Sequence, residues 1–475
     1  MILSHQVRIV IAQPRIKTPS FIAEFPLRTT AADEVVLDKR LHAGQQLYNA
    51  CLGEALRRLR LIRQSIDWRK ARAMPKCLGL NASGKPKSNP ARSALFRAVI
   101  TSFDFTWPAI QTYAETCRDA CWISHHLGSH DTQTTSLRAF RAVQQHAFGK
   151  RGRPRFKPRH RFNSIEGKGD AVICFRTEPK PAIRWAGLLL PLMLDAKDEW
   201  QKRALQARTK YVRVIRRDLR GRVRWYAQLI QEGLPPAIHP TPAGVVGLDL
   251  GPSTLAVVGA SAAQLTPLCP TITQPWREMR RLERAQDRSR RATNPGNYDA
   301  KGRISKGKKR WLRSQRYLRR ARLRRETERR LAAERRRSHG ALANRILAQG
   351  TTIKTEKLNY KSWQKNYGRS VKVRAPGMLI DLLRRKAASA GGAMVDINPR
   401  TTKLSQFDHT TGNYVKKPLS QRSHVFGDGT ALVQRDLYSA FLATCCDSST
   451  LDMSQVLATW PAAEPLLRQA MSRCL

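Results

Sequence analysis

The chain has 475 residues, which is enough for several domains and at least one sizeable core. Its 87 Lys and Arg against 35 Asp and Glu give a formal net charge of +52, an excess that favours a polyanionic partner, above all nucleic acid. No run approaches the roughly 20 apolar residues of a membrane span, and no secretory signal is recognisable. The nine cysteines are scattered, which is typical of a reduced intracellular protein rather than a disulfide framework.

The first half of the chain alternates between strand-like and helical patterns. A strand-like run, VRIVIA, lies near the start, and leucines at helical spacing predict a helix over 31–67. The segment 79–90, GLNASGKPKSNP, predicts an exposed loop, and a second helical region covers 91–145. The basic, proline-broken segment 148–169 precedes short strand-like patterns over 172–231.

A proline-rich stretch at 235–242, PPAIHPTP, predicts a domain boundary, and a buried-strand pattern follows it. This pattern, GVVGLDLGPSTLAVVG, places the carboxylate of Asp249 inside an apolar run. A buried carboxylate is costly unless it is hydrogen-bonded, protonated or bound to a cation. Asp249 therefore predicts a binding partner elsewhere in the chain.

Two further acids have apolar surroundings. Glu356 falls at the end of a predicted strand in TTIKTEKLNY, and Asp436 falls in the first turn of a predicted helix in QRDLYSAFLA. Two strand ends and a helix start can converge at the carboxyl edge of an α/β sheet. Crowded carboxylates raise one another's pKa unless a cation neutralises them, and hard oxygen ligands suit Mg²⁺ or Mn²⁺. Two such ions about 4 Å apart would activate a water and stabilise the leaving oxygen of a phosphodiester.

The region between the first two acids is the most basic part of the chain. It predicts long helices over 277–345 whose polar faces are nearly all arginine, with few acidic partners. Phe156, Trp311 and Tyr317 are candidates to stack on unpaired bases. The candidate nucleic-acid-binding residues are Arg153, Arg155, Lys157, Arg277, Arg281, Arg310, Arg313, Arg316, Arg320 and Arg324.

The turn DLGPST has a second interpretation. Sugar kinases and actin-like ATPases use a similar D-x-G-x-S/T turn to hold ATP phosphates. The arginine-rich region suits a long polyanion better than a single nucleotide, which argues against the ATPase.

The three motifs GLDLGPST, TEKLNY and QRDLYSAFLA, in this order, resemble those of the RuvC-type nuclease domain in transposon-encoded TnpB proteins. The type V CRISPR effector nucleases are relatives of that family. The resemblance implies an RNase H-like fold and metal-dependent cleavage of DNA selected by a guide RNA. By motif, Asp249, Glu356 and Asp436 correspond to the catalytic, metal-binding acids. It also implies a prokaryotic, cytoplasmic, nucleoid-associated protein with guide RNA and double-stranded DNA as partners, no membrane and no small-molecule substrate.

The same resemblance implies a multidomain α/β architecture with the nuclease domain C-terminal. A β-rich wedge domain would be interrupted by a helical recognition insertion. The expected segments are wedge 1–30, recognition insertion 31–147, wedge 148–240, first RuvC motif 241–270, arginine-rich insertion 271–346, second motif 347–402, a degenerate zinc knuckle 403–430, and third motif with C-terminal tail 431–475.

One element departs from the family pattern. The family usually carries a four-cysteine zinc knuckle before the last acid, whereas the cysteine positions here are Asp408, Thr411, Phe426 and Asp428. Without thiolates, tetrahedral zinc is not expected, although His409 and His424 offer an alternative ligand set. The sequence predicts a zinc-free loop and leaves open how well it supports the cleavage site.

Three functions therefore stand side by side. The first is an RNA-guided DNA endonuclease. The second, motivated by the altered knuckle, is an RNA-guided DNA-binding protein with weak or absent cleavage, acting as a repressor or targeting subunit. The third is an RNase H-like transposase that works without a guide RNA, because one fold can host several functions.

Overall fold

A computed structural model describes residues 18–81, 84, 86–167, 169, 172–239, 241–307, 309–418, 420–427, 429 and 432–473. The predicted VRIVIA strand lies outside these residues. The chain divides into two compact units, Met1–Pro236 and Ala237–Leu475, both of mixed α/β structure. In the part of the chain that the structure describes, no helix combines the length and the apolar character needed to cross a membrane.

The first unit contains one strand, a run of helices and then a series of strands. Its strands are β1 (Ser20–Pro26), β2 (Cys77–Leu80), β3 (Pro86–Ser88), β4 (Ser164–Glu166), β5 (Ile173–Arg176), β6 (Ala182–Trp185), β7 (Leu188–Pro191), β8 (Thr209–Leu219) and β9 (Arg222–Glu232). Its helices are α1 (Ala31–Gln64), α2 (Ile66–Ala73), α3 (Pro90–Ser102), α4 (Trp107–Asp119), α5 (Ser129–Ala147) and α6 (Glu199–Gln206).

The long helix α1 begins at a capping box and buries one leucine-rich face. Thr30 Oγ1 accepts a hydrogen bond from the backbone N–H of Asp33, and Asp33 Oδ2 accepts one from Thr30 N–H, which satisfies two donors of the first turn. The leucines of the predicted helix then face the unit's core, and Leu37, Leu47 and Leu52 are fully buried. The helical periodicity in the sequence therefore identified the core face of α1.

The main sheet of this unit has the strand order β1–β9–β8–β4, and every neighbouring pair in it is antiparallel. Strands β8 and β9 form its central hairpin. They are joined at Arg220 and Gly221, which have φ angles of 54° and 78°. Two consecutive positive φ values match the tight hairpin turns whose twist suits paired strands.

Two sequence-based expectations for this unit are corrected by the structure. The predicted loop at 79–90 overlaps the end of strand β2 and contains strand β3, and the two antiparallel strands form a short exposed hairpin. The region read as strands throughout 172–231 contains helix α6, which begins because Asp198 Oδ1 accepts a hydrogen bond from Gln201 N–H. The segment EWQKRALQ that follows consists largely of good helix formers, which periodicity alone had not separated from the surrounding strands.

The second unit contains one mixed sheet, a small hairpin and seven α-helices among its described residues. Its strands are β10 (Val245–Leu250), β11 (Thr254–Val258), β12 (Ala263–Pro267), β13 (Thr352–Glu356), β14 (Met394–Ile397), β15 (Ser423–Val425) and β16 (Leu432–Gln434). Its helices are α7 (Trp276–Thr293), α8 (Gln315–Leu347), α9 (Tyr360–Arg374), α10 (Pro376–Ser389), α11 (Pro399–Thr402), α12 (Arg435–Thr444) and α13 (Met453–Ser472).

The mixed sheet has the strand order β12–β11–β10–β13–β14. Strands β10, β11 and β12 form an antiparallel meander, whereas β13 and β14 run parallel to β10. The parallel arrangement brings the carboxyl ends of β10 and β13 to the same edge of the sheet, as the sequence predicted for the strands that carry Asp249 and Glu356.

The two faces of this sheet pack against different helices. Val246 and Leu248 of β10 belong to a core shared with α8 and α10, and Ala256 and Val258 of β11 belong to one shared with α12 and α13. Alternate side chains of a strand point to opposite faces. Asp249, one residue beyond Leu248, therefore lies on the α12 side.

Candidate active site

The first acid is positioned by close packing between β10 and α12. Gly247, two residues before Asp249 and on the same face, lies directly beneath α12. A Cβ atom there would lie 2.8 Å from Thr444 Cγ2 and closer still to the carbonyl oxygen of Ala440. Only glycine fits at this contact, and it lets the helix that carries Asp436 approach the strand that carries Asp249.

The second acid is on the same side of the neighbouring strand. Glu356 is the last residue of β13, and Lys354, two residues earlier, donates a hydrogen bond of 3.0 Å to the carbonyl oxygen of Thr444 at the end of α12. Since residues two apart share a face, Glu356 points toward α12 as well. The position of Glu356 at the end of a strand is as the sequence predicted.

The third acid lies in the first turn of α12. Gln434 caps this helix, because its Oε1 accepts a hydrogen bond of 2.7 Å from Leu437 N–H. The next backbone N–H, that of Arg435, donates to the carbonyl oxygen of Arg422 at 2.8 Å. These contacts fix the helix start and place Asp436 in its first turn, as the sequence predicted.

All three acids line a single cavity of 890 Å³ at this edge of the sheet. The wall also contains four basic side chains: Lys416, Lys417, Arg422 and Arg435. Sequence analysis did not identify these four as site residues, because nothing in their local pattern distinguishes them from the many other basic residues of the chain. The cavity is therefore lined by both acidic and basic side chains.

Burial is the main cause of the raised pKa values of two of these acids. Burial raises the pKa of Asp249 well above its ordinary value, the negative charges of Asp436 and Glu356 raise it further, and the positive charge of Arg435 opposes them. Burial also raises the pKa of Glu356. Both shifts are those of carboxyl groups that lack a sufficient countercharge, and a divalent cation would reverse them.

The donor set fits a hard divalent cation, since all three acids offer oxygen ligands. Yet among the residues that the structure describes, no three His, Cys, Asp or Glu side chains are grouped closely enough to hold a metal ion. Like charges repel one another, and Asp436 is already within 3.4 Å of the Arg435 guanidinium. The acids thus share one cavity without forming a preassembled cage, and an ion would have to draw them together.

The element at the zinc-knuckle position is closed by hydrogen bonds. Asp408, at the first expected cysteine position, accepts through Oδ1 from Thr410 N–H at 2.9 Å and through Oδ2 from Gly427 N–H at 2.8 Å. Although burial alone would raise it, these bonds lower the pKa of Asp408. Thr411 packs against Gly427, which leaves no space there for a side chain. Asp428 lies outside the described residues.

Aromatic rings fill the interior of this element. We call the group of His409, His424, Phe426, Tyr438, Phe441 and Trp460 the ring cluster. Phe426, at the third cysteine position, is 2% exposed and lies 5.2 Å from Trp460, centroid to centroid. Trp460 belongs to α13, so the C-terminal helix packs against this element.

The two histidines belong to this packing. His409 Nδ1 lies 2.8 Å from Tyr438 Oη, and His424 Nδ1 is hydrogen-bonded to Lys417 Nζ. Burial and the charge of Lys417 lower the pKa of His424 to about 4, so its ring is neutral near pH 7. A continuous core therefore connects the knuckle position to α12, which carries Asp436.

The predicted nucleic-acid-binding residues fall into two groups. Seven have exposed side chains that form no hydrogen bond or ion pair among the described residues: Arg153, Arg155, Arg277, Arg281, Arg310, Arg313 and Arg316. The other three are half-buried. Lys157 lies 4.4 Å above the Tyr48 ring, Arg320 donates to the carbonyl oxygen of Ala285 at 2.6 Å, and Arg324 donates to Gln286 Oε1 at 3.2 Å.

Each of these three side chains contacts another part of the folded chain. Burial lowers the pKa of Lys157 to about 8, and the other two residues join α8 to α7. Among the candidate stacking residues, Phe156 is 60% exposed, whereas Trp311 packs edge-on against Tyr298 at 5.9 Å. Tyr317 is half-buried, so Phe156 is the most exposed of the three candidate rings.

Neither a protein-family model nor a curated protein matches this sequence. Among solved structures, the chain is similar to the cryo-EM structure of a Cas12f1–sgRNA–target DNA complex, with a TM-score of 0.48 and 11% identity over 90% of this chain and 98% of that chain. It is also similar to the cryo-EM structure of a CRISPR-Cas12f ternary complex, with a TM-score of 0.27 and 12% identity over 88% and 83% of the respective chains. At these values neither similarity assigns a family or a function, so the function has to be argued from the chain's own residues.

Proposed function

We propose that this protein is an RNA-guided DNA endonuclease whose second unit is an RNase H-like, RuvC-type nuclease domain. The observation that carries the proposal is the shared cavity of Asp249, Glu356 and Asp436, three acids that are remote in sequence. Their motifs resemble those of TnpB proteins and type V effectors, and a net charge of +52 suits two nucleic-acid partners. Guide RNA and target DNA are the partners that this function requires.

Asp249, Glu356 and Asp436 would hold Mg²⁺ or Mn²⁺, and Glu356 would also orient the attacking water. Bound divalent ions lower the pKa of a water and stabilise the leaving oxygen of a phosphodiester. Lys416, Lys417 and Arg422 would bind the backbone of the strand entering the cavity, since all three line it together with the acids. Lys354 would help to hold α12, which carries Asp436, against the sheet that carries the other two acids.

Base pairing between guide and target would supply most of the sequence specificity, and the protein would read a short adjacent DNA motif. Exposed arginines such as Arg153, Arg277 and Arg313 suit contacts to the sugar–phosphate backbone, which position a duplex without reading its sequence. We expect their individual loss to weaken binding modestly and to lower its dependence on salt.

The decisive experiment is purification of the full chain with its transcript, followed by an assay of cleavage of a guide-matched plasmid with Mg²⁺. We expect Asp249→Asn, Glu356→Gln and Asp436→Asn each to lose at least a hundredfold in rate while plasmid binding stays within threefold. The matched control is Asp381→Asn, which removes an exposed acid from the same unit.

Each rival has its own signature in that experiment. Plasmid binding without cutting by the parent protein would favour the RNA-guided binding protein over the nuclease. Absence of a discrete co-purifying RNA would favour the transposase. Cleavage by Asp249→Asn at the parent rate would refute the assignment of the acids.

A further inference from the structure

Arg435 is the least accessible basic residue of the cavity wall, and its position is unusual. Only 11% of its side chain is exposed, and its Nη2 lies 3.4 Å from Asp436 Oδ1. Its Nη1 donates to the carbonyl oxygen of Pro418 at 3.3 Å. Among the described residues its Nε is buried without a hydrogen-bond partner. A guanidinium with five donors is thus held at the acids by two long contacts.

Both contacts are longer than a good charge-assisted hydrogen bond, which measures about 2.7–2.9 Å. Elsewhere in the chain, arginine–carboxylate pairs are shorter still: Arg213 and Glu166 lie 2.6 Å apart, and so do Arg217 and Glu24. The Arg435 contact with Asp436 is therefore loose as well as buried. A buried charge with unsatisfied donors is costly unless another partner completes its contacts.

The charge of Arg435 acts on Asp249 as well as on Asp436. It lowers the pKa of Asp249, which the negative charges of Asp436 and Glu356 raise. It therefore occupies the electrostatic position that a divalent ion would take among the same carboxylates. Two cations cannot both be close to Asp436 without mutual repulsion. Binding of one must weaken or displace the other.

We propose that Arg435 is the built-in countercharge of the acid cluster, displaced from Asp436 when a divalent ion binds and thereby freed to contact a non-bridging oxygen of the phosphodiester. This inference rests on the proposed function for the nature of the ion and the substrate. It makes Arg435 a positioning residue in the metal-free state and a substrate-binding residue in the loaded state. A planar, permanently charged fork suits both roles, since it matches carboxylate and phosphate oxygens alike.

The first test measures metal binding without catalysis. Mn²⁺ is titrated into the RNA-free full-length chain and followed by calorimetry, for the parent, Arg435→Gln and Arg435→Lys. Arg435→Gln is expected to bind Mn²⁺ at least fivefold more tightly, because a competing cation has been removed, whereas Arg435→Lys stays within twofold of the parent. Arg400→Gln removes an exposed guanidinium from the same unit and is expected to change nothing.

The second test measures single-turnover cleavage by the RNA-loaded protein at saturating Mn²⁺. Arg435→Gln is expected to cut at least tenfold more slowly, with Arg435→Lys between it and the parent. Thermal unfolding of each variant without metal controls for misfolding. A purely structural role would reduce stability without tightening Mn²⁺ binding.

The inference and the proposed function fail in different ways. Unchanged or weaker Mn²⁺ binding by Arg435→Gln, with binding lost in Asp249→Asn, overturns the countercharge role alone. Tighter Mn²⁺ binding with an undiminished cleavage rate overturns the phosphate contact. If Asp249→Asn binds Mn²⁺ as the parent does, the metal site itself, and with it the proposed function, is refuted.

Discussion

Replacement of Gly247 by alanine would test the packing that brings the acids together. The added Cβ would lie 2.8 Å from Thr444 Cγ2, 3.0 Å from Thr444 N, and closer still to the carbonyl oxygen of Ala440. Ordinary contacts begin at about 3.4 Å, and backbone atoms cannot rotate away as a side chain can. Helix α12 would therefore have to retreat from β10, on the order of 1 Å in a core packed without voids.

Overpacking of this kind costs about 1–3 kcal/mol, and the backbone clash places Gly247→Ala at the upper end. For a domain of this size, about 3 kcal/mol corresponds to a fall in Tm of roughly 6–12 °C. Since α12 carries Asp436 and β10 carries Asp249, cleavage should fall more steeply than stability. A misplacement of about 1 Å is enough to cost roughly a hundredfold in rate.

The matched control is Gly340→Ala in α8, where an added Cβ meets nothing within 4 Å. Alanine is a better helix former than glycine, so this variant should be as stable as the parent or about 0.4–1 kcal/mol more stable. Urea unfolding and single-turnover cleavage compare the two. If Gly247→Ala matches the parent in stability and in rate, α12 does not pack on β10 as described.

Three further predictions concern charge and the knuckle position. Asp249→Asn should stabilise the metal-free protein near pH 7. The pKa of Asp249 is higher in the folded than in the unfolded state, so this carboxyl makes stability fall as pH rises between the two values. A lower Tm of the variant in EDTA would contradict this prediction. Mn²⁺ binding should release protons from Asp249 and Glu356, seen as a dependence of the calorimetric enthalpy on buffer, and should strengthen as pH rises; no buffer dependence would argue against the raised pKa values. Asp408→Ala should lower the free energy of unfolding by about 1–3 kcal/mol, since it leaves Gly427 N–H without its acceptor. A zinc chelator should leave the stability of the parent unchanged. Destabilisation by the chelator would reveal a bound zinc ion.

The sequence predicted the parts of the site that have a local signature. Asp249 interrupts a buried strand, Glu356 ends one, and Asp436 opens a helix with an apolar face, and each acid has that place in the structure. Periodicity also located α1 and the basic helices α7 and α8. These features follow from residues close together in the chain, where hydrophobic spacing is informative.

The missed parts depend on contacts across long stretches of sequence. The role of Trp460 is visible only once α13 packs on Phe426 and Tyr438. Arg435 is one of 87 basic residues, and only its burial beside the acids distinguishes it. The segment that includes most of the β2–β3 hairpin was predicted to be a loop because it is rich in Gly, Ser, Pro and Lys, which are typical of exposed loops.

The segment at the predicted knuckle position is held together without cysteine side chains. Where the family pattern has thiolates, Asp408 connects the loop through backbone N–H groups and Phe426 joins a buried ring cluster. Offset and edge-on ring pairs add to the apolar area that they bury. These contacts support α12 at the predicted knuckle position, and the altered cysteine positions do not by themselves argue against cleavage.

The most direct measurement of the central claim is anomalous diffraction from crystals of the RNA-loaded protein soaked in Mn²⁺. The three acids predict two manganese peaks about 4 Å apart, within coordination distance of Asp249, Glu356 and Asp436, and their absence from Asp249→Asn crystals. Manganese bound elsewhere, with none at Asp249, Glu356 and Asp436, would contradict the proposed nuclease site.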